Sequence, residues 1–404
     1  MHVMKLHNHY EPERTSLVPI ESLAAGRVLR GCARSPARVQ TQEMTTASTL
    51  APLRWLDPPE GPAIELLDQT RLPVAEAILS CRDVPQLVGA IRRLAVRGAP
   101  MLGVAAAYGV ALAAARDDDV PAAAAAIARA RPTAANLAWG ADRALDAWRS
   151  AVAGSSPVSG KIAGAQAALA EAKAIAAADA AASAAIAAHG LDMVRPSARI
   201  LTHCNTGSLV SAGEGTAFAV ILAAHRAGRL EMLWVDETRP LLQGARLTAW
   251  EAGRSGVPHK LITDNAAASL MASGQVDLII TGADRIAADG SVANKVGTYG
   301  LAVLAKHHDV PFVVAAPMST VDFSTPDGAS IEVEFRADEE VATVGSQPVA
   351  PAGTAAWNPA FDVTPPSLVT AIVTERGLIK PVTAGNLRDQ GAGTGAGMGP
   401  QAAL

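Results

Sequence analysis

Residues 198–204 read ARILTHC, a short apolar run that ends in polar residues. Four similar runs follow, each after a segment of helical character: EMLWVDE (231–237), HKLITD (259–264), VDLIITGAD (276–284) and PFVVAAP (311–317). Apolar strands that alternate with helices are typical of a parallel sheet with helices on both faces. The sequence therefore predicts an α/β fold in which residues 191–385 form a Rossmann-like parallel-sheet domain.

The chain before this sheet has a different composition. Residues 83–190 are rich in alanine, and Asp83 and Thr133 precede periodic apolar segments as helix caps do. The uncharged run GAPMLGVAAAYGVALAAA (98–115) approaches the length of a membrane span, but alanine and glycine dominate it and Pro100 fits a helix start. We predict a buried core helix there, within a mainly helical N-terminal domain over residues 51–190.

Both ends of the chain lack sustained periodicity. Residues 1–50 mix His, Arg, Pro and Ser, and residues 386–404 are rich in glycine, so we predict a disordered arm and a disordered tail. The composition shifts near Met44, which we take as a candidate native start. Mass spectrometry that finds the native protein beginning at Met1 would refute that start.

The overall composition favours a small-molecule partner and a reducing compartment. The chain has 404 residues, half of them hydrophobic, which is long enough for two domains with a large core. A net charge of -4 gives no general attraction to nucleic acid or to acidic membranes. Three cysteines show no disulfide framework and the first residues show no secretory signal. We expect a cytoplasmic protein without nucleic-acid or membrane partners.

Two ionisable residues stand where strands are predicted to end. Ligands of open α/β sheets bind outside the carboxyl ends of the strands, and Cys204 and Asp284 follow the first and fourth runs. The Gly-rich loop after Cys204 favours a reactive thiolate, although a lone cysteine is more often an inert buried residue. In extended geometry His203 faces away from Cys204, which argues against its being the base for that cysteine. Arg285 adjoins Asp284, so the sequence fits either a loop salt bridge or an aspartate that holds a proton.

Several polar residues suit an anionic ligand. Arg97 and Arg131 precede helix starts, where free backbone N–H groups and a guanidinium bind phosphate together, although most such arginines are structural or exposed. Asn294 and Lys295 form a donor pair after a turn, and Gln243 follows the second strand at the ligand edge. The residues alone therefore indicate a parallel-sheet enzyme with an anionic ligand.

Other common enzyme classes lack their signatures. The first Gly-rich loop reads GEGTAF (213–218), and its phenylalanine stands where a dinucleotide fingerprint needs a small residue. Asp236 imitates the acidic residue that binds a ribose hydroxyl, but the fingerprint that should accompany it is missing. The sequence contains no P-loop, no GxSxG motif and no metal-ligand spacing of histidines, so we predict no cofactor and no metal.

Seven blocks between about Leu53 and Pro381 resemble, in order, the methylthioribose-1-phosphate isomerase family. They read RGAPMLGVAAAYG, RPTAANLAW, THCNTGSLVSAGEGTA, VDETRPLLQGARLTAWE, ITDNAAASLM, TGADRIAADGSVANKVGTYGLAVLAKHHDVPFVVAAP and NPAFDVTPPSLVTAIVTERGLI. That family is related to the initiation-factor 2B-type regulatory subunits and to ribose-1,5-bisphosphate isomerases.

The resemblance implies an intramolecular oxidoreductase that converts 5-methylthioribose 1-phosphate to 5-methylthioribulose 1-phosphate in methionine salvage. Hydrogen would move by acid/base or by hydride-type transfer. The resemblance also implies a homodimer and a catalytic pair of Cys204 and Asp284, with Asp284 as proton donor. The positions that match substrate-binding residues are Arg97, Gly98, Ala99, Arg131, Gln243, Asn294 and Lys295. A ribose-1,5-bisphosphate isomerase and a non-catalytic regulatory subunit are the alternatives.

Overall fold

The computed structural model describes residues 51–131 and 135–392. The predicted arm over residues 1–50, the start at Met44 and the cap at Thr133 lie outside these residues, as do residues 393–404. The described chain is a mixed α/β structure whose largest sheet is mostly parallel.

The N-terminal part combines a small sheet with five helices. An antiparallel meander of three strands comes first: β1 (Leu53–Leu56), β2 (Ala63–Leu67) and β3 (Ile78–Cys81). The helices follow: α1 (Val84–Arg92), α2 (Ala99–Ala115), α3 (Val120–Ala128), α4 (Ala135–Val152) and α5 (Pro157–Leu191). Helices make up most of the described residues between 84 and 191, whereas the meander was not predicted.

Local signals explain the helices that were predicted. Asp83 caps α1, since its carboxylate accepts a 2.8 Å hydrogen bond from the backbone N–H of Gln86. Pro100 lies in the first turn of α2, and every residue from Met101 to Ala114 is buried. The uncharged run is therefore a core helix, as predicted.

Helix α5 is the one helix in the described part of the chain that is long and apolar enough to cross a bilayer. Length and alanine content alone meet that test, which core helices of soluble proteins also pass. In this structure α5 packs against α2, α4, α6 (Ala217–Arg226) and strand β15 (Ala371–Thr374). It ends at the predicted domain boundary.

The main sheet has seven strands in the order β16, β15, β10, β7, β4, β5, β6. All five predicted runs are parallel neighbours in it, while β16 pairs antiparallel with β15 at one edge. The strands are β4 (Ala198–Thr202), β5 (Leu230–Asp236), β6 (His259–Ile262), β7 (Leu278–Thr281), β10 (Phe312–Ala315), β15 and β16 (Gly377–Ile379). Helices α7 (Ala249–Arg254), α8 (Ala267–Ala272) and α9 (Thr298–His307) lie between its strands in the chain.

A second sheet stands beside the carboxyl ends of the main strands and carries part of the site. Its order is β11 (Val321–Asp322), β8 (Arg285–Ala287), β9 (Val292–Lys295) and β14 (Phe361–Thr364). A short helix α10 (Glu339–Ala342) and the hairpin of β12 (Thr343–Val344) and β13 (Gln347–Pro348) come before β14 in the chain.

The prediction of a disordered tail over residues 386–404 is wrong for its first part. Helix α11 (Ala384–Ala392) occupies that stretch, and its Leu387 is fully buried in the core. The guanidinium of Arg376 also donates to the carbonyl oxygens of Gln390 and Gly391. One buried side chain and two carbonyl contacts thus outweigh the low helix propensity of a Gly-rich segment.

Helices α2 and α4 cross so closely that only glycine fits at the contact. A Cβ on Gly140 would lie 2.1 Å from the carbonyl oxygen of Gly103. We expect Gly140→Ala to destabilise the protein by about 1–3 kcal/mol, since the two backbones must separate. Gly89 in α1 is the control: a Cβ there meets nothing within 4 Å, so Gly89→Ala should stabilise by about 0.5–1 kcal/mol. Urea denaturation measures both, and equal effects of the two variants would contradict the close crossing.

Candidate active site

Cys204 lies just past the end of β4, in an unusual backbone conformation. Its φ is 64°, a left-handed value that non-glycine residues seldom adopt. Two threonine hydroxyls hold it there: Thr238 Oγ1 accepts from the Cys204 N–H at 2.9 Å, and Thr248 Oγ1 donates to the Cys204 carbonyl at 2.6 Å. The residue is 6% exposed and its thiol is free. Strained backbone of this kind is concentrated at functional sites, because it directs a side chain to a position that a relaxed backbone would not give it.

Arg97 reaches this sulfur from the start of α2. Its guanidinium donates to Cys204 Sγ at 3.3 Å and to Asn205 Oδ1 at 3.1 Å. The Asn205 amide in turn donates to the buried carboxylate of Glu251 at 2.5 Å. Gly98, the next residue, must be glycine, since a Cβ would lie 2.2 Å from the Val210 side chain and its φ is 89°. The sequence reading missed Asn205 and Glu251 as supports of Arg97.

Asp284 follows β7 and lines the same cavity as Cys204. Burial raises the pKa of its carboxyl, and this effect outweighs the opposing charges of Lys295, Arg97 and Arg131. Arg285 forms an ion pair with Asp322 of β11, at 3.4 Å. Burial has the largest influence on the pKa of Asp284. A carboxyl that favours its neutral form is what a general acid requires.

Lys295 lies at the end of β9, where it is almost completely buried. Burial lowers the pKa of its amine, while nearby Cys204 and Asp284 act in the opposite direction. The Nζ donates to the Ala360 carbonyl at 2.7 Å and lies 4.8 Å from the centre of the Phe361 ring. This amine thus lines the same cavity as the two candidate catalytic groups.

The structure does not bring every candidate side chain to the cavity. Asn294 precedes Lys295 on β9, so its side chain points to the opposite face of that strand. Its amide donates to Thr298 Oγ1 at 2.9 Å, which ties β9 to the start of α9. Asn294 stays a predicted substrate contact, whereas its side chain has a partner within the protein.

The far wall of the cavity contains an arginine that the sequence reading missed. Arg336 lines the cavity with Arg131. Glu334 accepts from both guanidiniums, at 3.4 Å from Arg131 and 3.1 Å from Arg336. Glu340 adds a 2.5 Å contact to Arg336. Its segment, between β11 and α10, contains no predicted element, so nothing local in the sequence marked this arginine.

Three adjoining cavities form the site. Cys204 and Asp284 border one of about 40 Å³, and Gly98, Ala99 and Asp284 border another of about 50 Å³. A wider cavity of about 420 Å³ is lined by Gln243 and Arg97. Gln243 is buried, and its side-chain oxygen has no hydrogen-bond partner among the described residues. It is free to orient a ligand between the narrow and the wide cavity.

The ring nitrogens of His203 contact groups other than Cys204, although Cys204 does not have the extended geometry on which the prediction for this pair rested. The Nδ1 of His203 lies 3.0 Å from Asp236 Oδ2 and its Nε2 lies 2.9 Å from the Val296 carbonyl oxygen. Both ring nitrogens are thus engaged elsewhere. Asp236 is also buried in this pair, so it does not present its carboxylate to a ribose as a dinucleotide enzyme would.

Comparison with known proteins gives consistent relatives. Residues 95–381 match the family described as the initiation factor 2 subunit family. A methylthioribose-1-phosphate isomerase from Pelotomaculum thermopropionicum is 49% identical over 334 residues, which cover 80% of this chain and 90% of that protein.

Two solved structures share the fold at appreciable sequence identity. The 5-methylthioribose 1-phosphate isomerase from Pyrococcus horikoshii OT3 has a TM-score of 0.77 at 39% identity, over 84% of this chain and 95% of that one. A structure described as translation initiation factor eIF-2B, subunit delta, from A. fulgidus has a TM-score of 0.72 at 39% identity, over 84% of this chain and 100% of that one.

The raised pKa of Asp284 predicts a pH-dependent effect on stability. When folding raises the pKa of an acid, the folded protein loses stability as the pH rises from the pKa of that acid in the unfolded chain to its pKa in the folded chain. Asparagine imitates the neutral acid and does not titrate. Asp284→Asn should therefore raise the melting temperature at roughly pH 8, and the gain should shrink as the pH falls to about 4.

The exposed Asp146, whose side chain is 72% accessible, supplies the matched control. Asp146→Asn should change the melting temperature little at either pH. A gain for Asp284→Asn that is no larger at the higher pH would show that Asp284 is not held in its neutral form.

Proposed function

The chain belongs to the initiation factor 2 subunit family, and on that premise we propose that it isomerises 5-methylthioribose 1-phosphate to 5-methylthioribulose 1-phosphate. The observation that carries the proposal is the convergence of Cys204 and Asp284 on one cavity bordered by cations. The proposed biological context is methionine salvage.

The substrate explains why a neutral Asp284 is useful. Phosphate on the anomeric oxygen blocks the spontaneous ring opening that free aldoses undergo, so an acid must act on the ring oxygen. The carboxyl of Asp284 gives its proton to that oxygen as the bond from the ring oxygen to C1 breaks. Because the group is buried, it stays protonated at a pH where an exposed aspartate is ionised.

The remaining chemistry moves one hydrogen from C2 to C1 and one proton off the C2 hydroxyl. In the acid/base route, Cys204 takes the C2 proton and returns it to C1 through an enediol. In the hydride route, the C2 hydrogen passes directly to C1. In both routes the C2 hydroxyl proton restores Asp284, so no external redox partner is needed. Arg97 and Lys295 stabilise negative charge near the sulfur and the reacting oxygens.

The charges around the cavity fit one phosphate group. Four cations border it: Arg97, Arg131, Lys295 and Arg336. Glu334 pairs with Arg131 and with Arg336, and Glu340 pairs with Arg336. With Asp284 neutral, the cations outnumber these carboxylates, which suits a phosphate group. The start of α2 adds free backbone N–H groups at Gly98 and Ala99, which suit the same anion.

The same cavity argues against a second phosphate on the substrate. Leu94, Leu241 and Phe361 supply apolar walls to it, which suit a thioether. A bisphosphate would bring two further negative charges, and the described residues that line this narrow cavity supply no cations beyond the four named above. The third alternative, a non-catalytic regulatory subunit, has no need of a strained cysteine and a neutral aspartate facing one another across a cavity.

We propose the finer properties on the same footing. The substrate partner is a small sugar phosphate, the working unit is a homodimer in the cytoplasm, and neither nucleic acid nor membrane takes part. Residues 191–385 act as a Rossmann-like catalytic domain behind the helical region of residues 51–190. The sugar phosphate reacts without a bound cofactor or metal.

The catalytic pair is tested by substitution. Cys204→Ser and Asp284→Asn should each lower kcat for methylthioribose 1-phosphate by about 100-fold or more, since Asp284 transfers a proton in both routes and Cys204 transfers one in the acid/base route. The chain offers a matched cysteine in Cys81, which is fully buried and whose burial raises its pKa to about 11. Cys81→Ala should keep the wild-type rate per folded molecule. Wild-type rates in both folded site variants would refute the pair.

Substrate choice is tested with the two sugar phosphates side by side. We expect kcat/KM for methylthioribose 1-phosphate to exceed that for ribose 1,5-bisphosphate by about 100-fold, because the second phosphate would be desolvated against apolar walls. Leu241→Lys adds a cation at one of those walls and should narrow the ratio. Equal use of both substrates by the unmodified chain would favour the bisphosphate isomerase instead.

A further inference from the structure

The buried pair of His203 and Asp236 has a proton count that its neighbours determine. The Nε2 of His203 faces the Val296 carbonyl at 2.9 Å, and a carbonyl only accepts hydrogen bonds, so Nε2 must carry a hydrogen. The Nδ1 faces a carboxylate oxygen of Asp236 at 3.0 Å. The contact at Nδ1 needs a proton too, because two bare acceptors would repel each other.

That requirement fixes the charge of the pair. If the contact proton lies on Nδ1, the ring is an imidazolium beside a carboxylate; if it lies on Asp236, a neutral ring faces a carboxylic acid. A single-proton ring with an Nδ1–H would leave Nε2 bare against Val296. With Nε2–H in place, the pair holds one shared proton and is neutral overall. Both residues are 1% exposed, where a neutral pair costs far less than an isolated carboxylate.

The charged groups around the ring support retention of that proton. They are Asp236 on β5, Asp264 after β6, Asp362 on β14 and Glu237 beyond β5. Burial by itself lowers the pKa of His203, but the hydrogen bond and charge of Asp236, with the charge of Asp264, raise it above its usual value. Burial likewise raises the pKa of Asp236.

A metal ion is the competing reading of this cluster. Ligand atoms of His203, Asp236 and Asp264 lie within 4.8 Å of one another, and Asp236 Oδ1 has no partner among the described residues. Asp264, however, already accepts from the backbone N–H groups of Thr238 and Arg239, each at 2.7 Å. Each Asp264 oxygen therefore already accepts a hydrogen bond, and a shared proton accounts for the contact between His203 and Asp236 without an ion.

The pair lies between the two groups that the site needs. Cys204 directly follows His203, and Val296 directly follows Lys295. Gly297 packs on the ring, where a Cβ would come within 2.9 Å. Asp236 also reaches Cys204 through Thr238, whose hydroxyl donates to the Asp236 carbonyl and accepts from the Cys204 N–H. The ring therefore couples the end of β4 to the turn between β9 and α9.

We propose that His203 and Asp236 share one proton as a buried neutral pair that positions Cys204 and Lys295 for the reaction. His203 is thus a positioning residue and not the base for the cysteine. The kinetic part of this inference rests on the proposed function, whereas the proton count does not.

The proton count is measured by nuclear magnetic resonance on the full chain with ¹⁵N-labelled histidine. The signal absent from His203→Gln should show a protonated Nε2 and should not titrate between about pH 5 and 9, while exposed histidines titrate near 6.5. A bare Nε2, or titration near 6.5, would overturn the shared proton. Metal analysis of the purified chain is the second arm. One divalent ion per chain that Asp236→Asn loses would identify a metal site and also overturn it.

The positioning role is measured by a rescue. In Asp236→Asn the amide donates to Nδ1 while Nε2–H still donates to Val296, so the pair stays neutral with both hydrogen bonds. Asp236→Leu, which is similar in size, makes neither contact. We expect kcat to fall by about 100-fold in the Leu variant, as for a misplacement of roughly 1 Å, and to stay within about fivefold in the Asn variant. KM should change less than kcat.

Equal losses in the folded Asn and Leu variants would overturn the positioning role, as would full activity in the Leu variant. If the unmodified chain does not turn over methylthioribose 1-phosphate, the proposed function fails while the resonance result still decides the proton count.

Discussion

The fork of hydrogen bonds from Arg97 is the contact on which the site depends. One guanidinium, fixed at the start of α2, donates to the sulfur of Cys204 and to Asn205, and so joins the helical region to the carboxyl edge of the sheet. Asn205 is held by Glu251, a buried carboxylate that also accepts from Ser208. A buried carboxylate without these donors would cost several kcal/mol. The hydrogen bonds to Glu251 must therefore stay formed for Asn205 and Arg97 to keep their places in the site.

Burial then sets the chemistry. Asp284 faces cations that favour its charged form, yet desolvation has the larger effect and raises the pKa of its carboxyl. Lys295 shows the converse, because burial disfavours its charge while Cys204 and Asp284 favour it. The narrow cavity therefore holds an acid, a thiol and cations whose balance changes when a phosphate dianion enters. Exclusion of water also strengthens each of these interactions during the reaction.

The elements that the sequence predicted are those with a clear apolar pattern. The five apolar runs became parallel strands because both of their faces are covered, and the strand-end rule placed Cys204 and Asp284 at one edge. Strands β8, β9 and β14 escaped prediction because polar residues such as Asn294 and Lys295 interrupt them. Arg285 meets Asp322 because β8 pairs with β11. Glu251 supports Asn205 through a contact between residues that are 46 positions apart in the chain. Neither has a local signal.

The most direct test of the account is a crystal structure of Asp284→Asn with 5-methylthioribulose 1-phosphate bound. We expect the phosphate to lie against Arg97, Arg131 and the first turn of α2, with C1 and C2 between the Cys204 sulfur and the amide of residue 284. We also expect the methylthio group to contact Leu94 or Leu241. A ketose phosphate that lies wholly in the wider cavity, out of reach of Cys204, would contradict it.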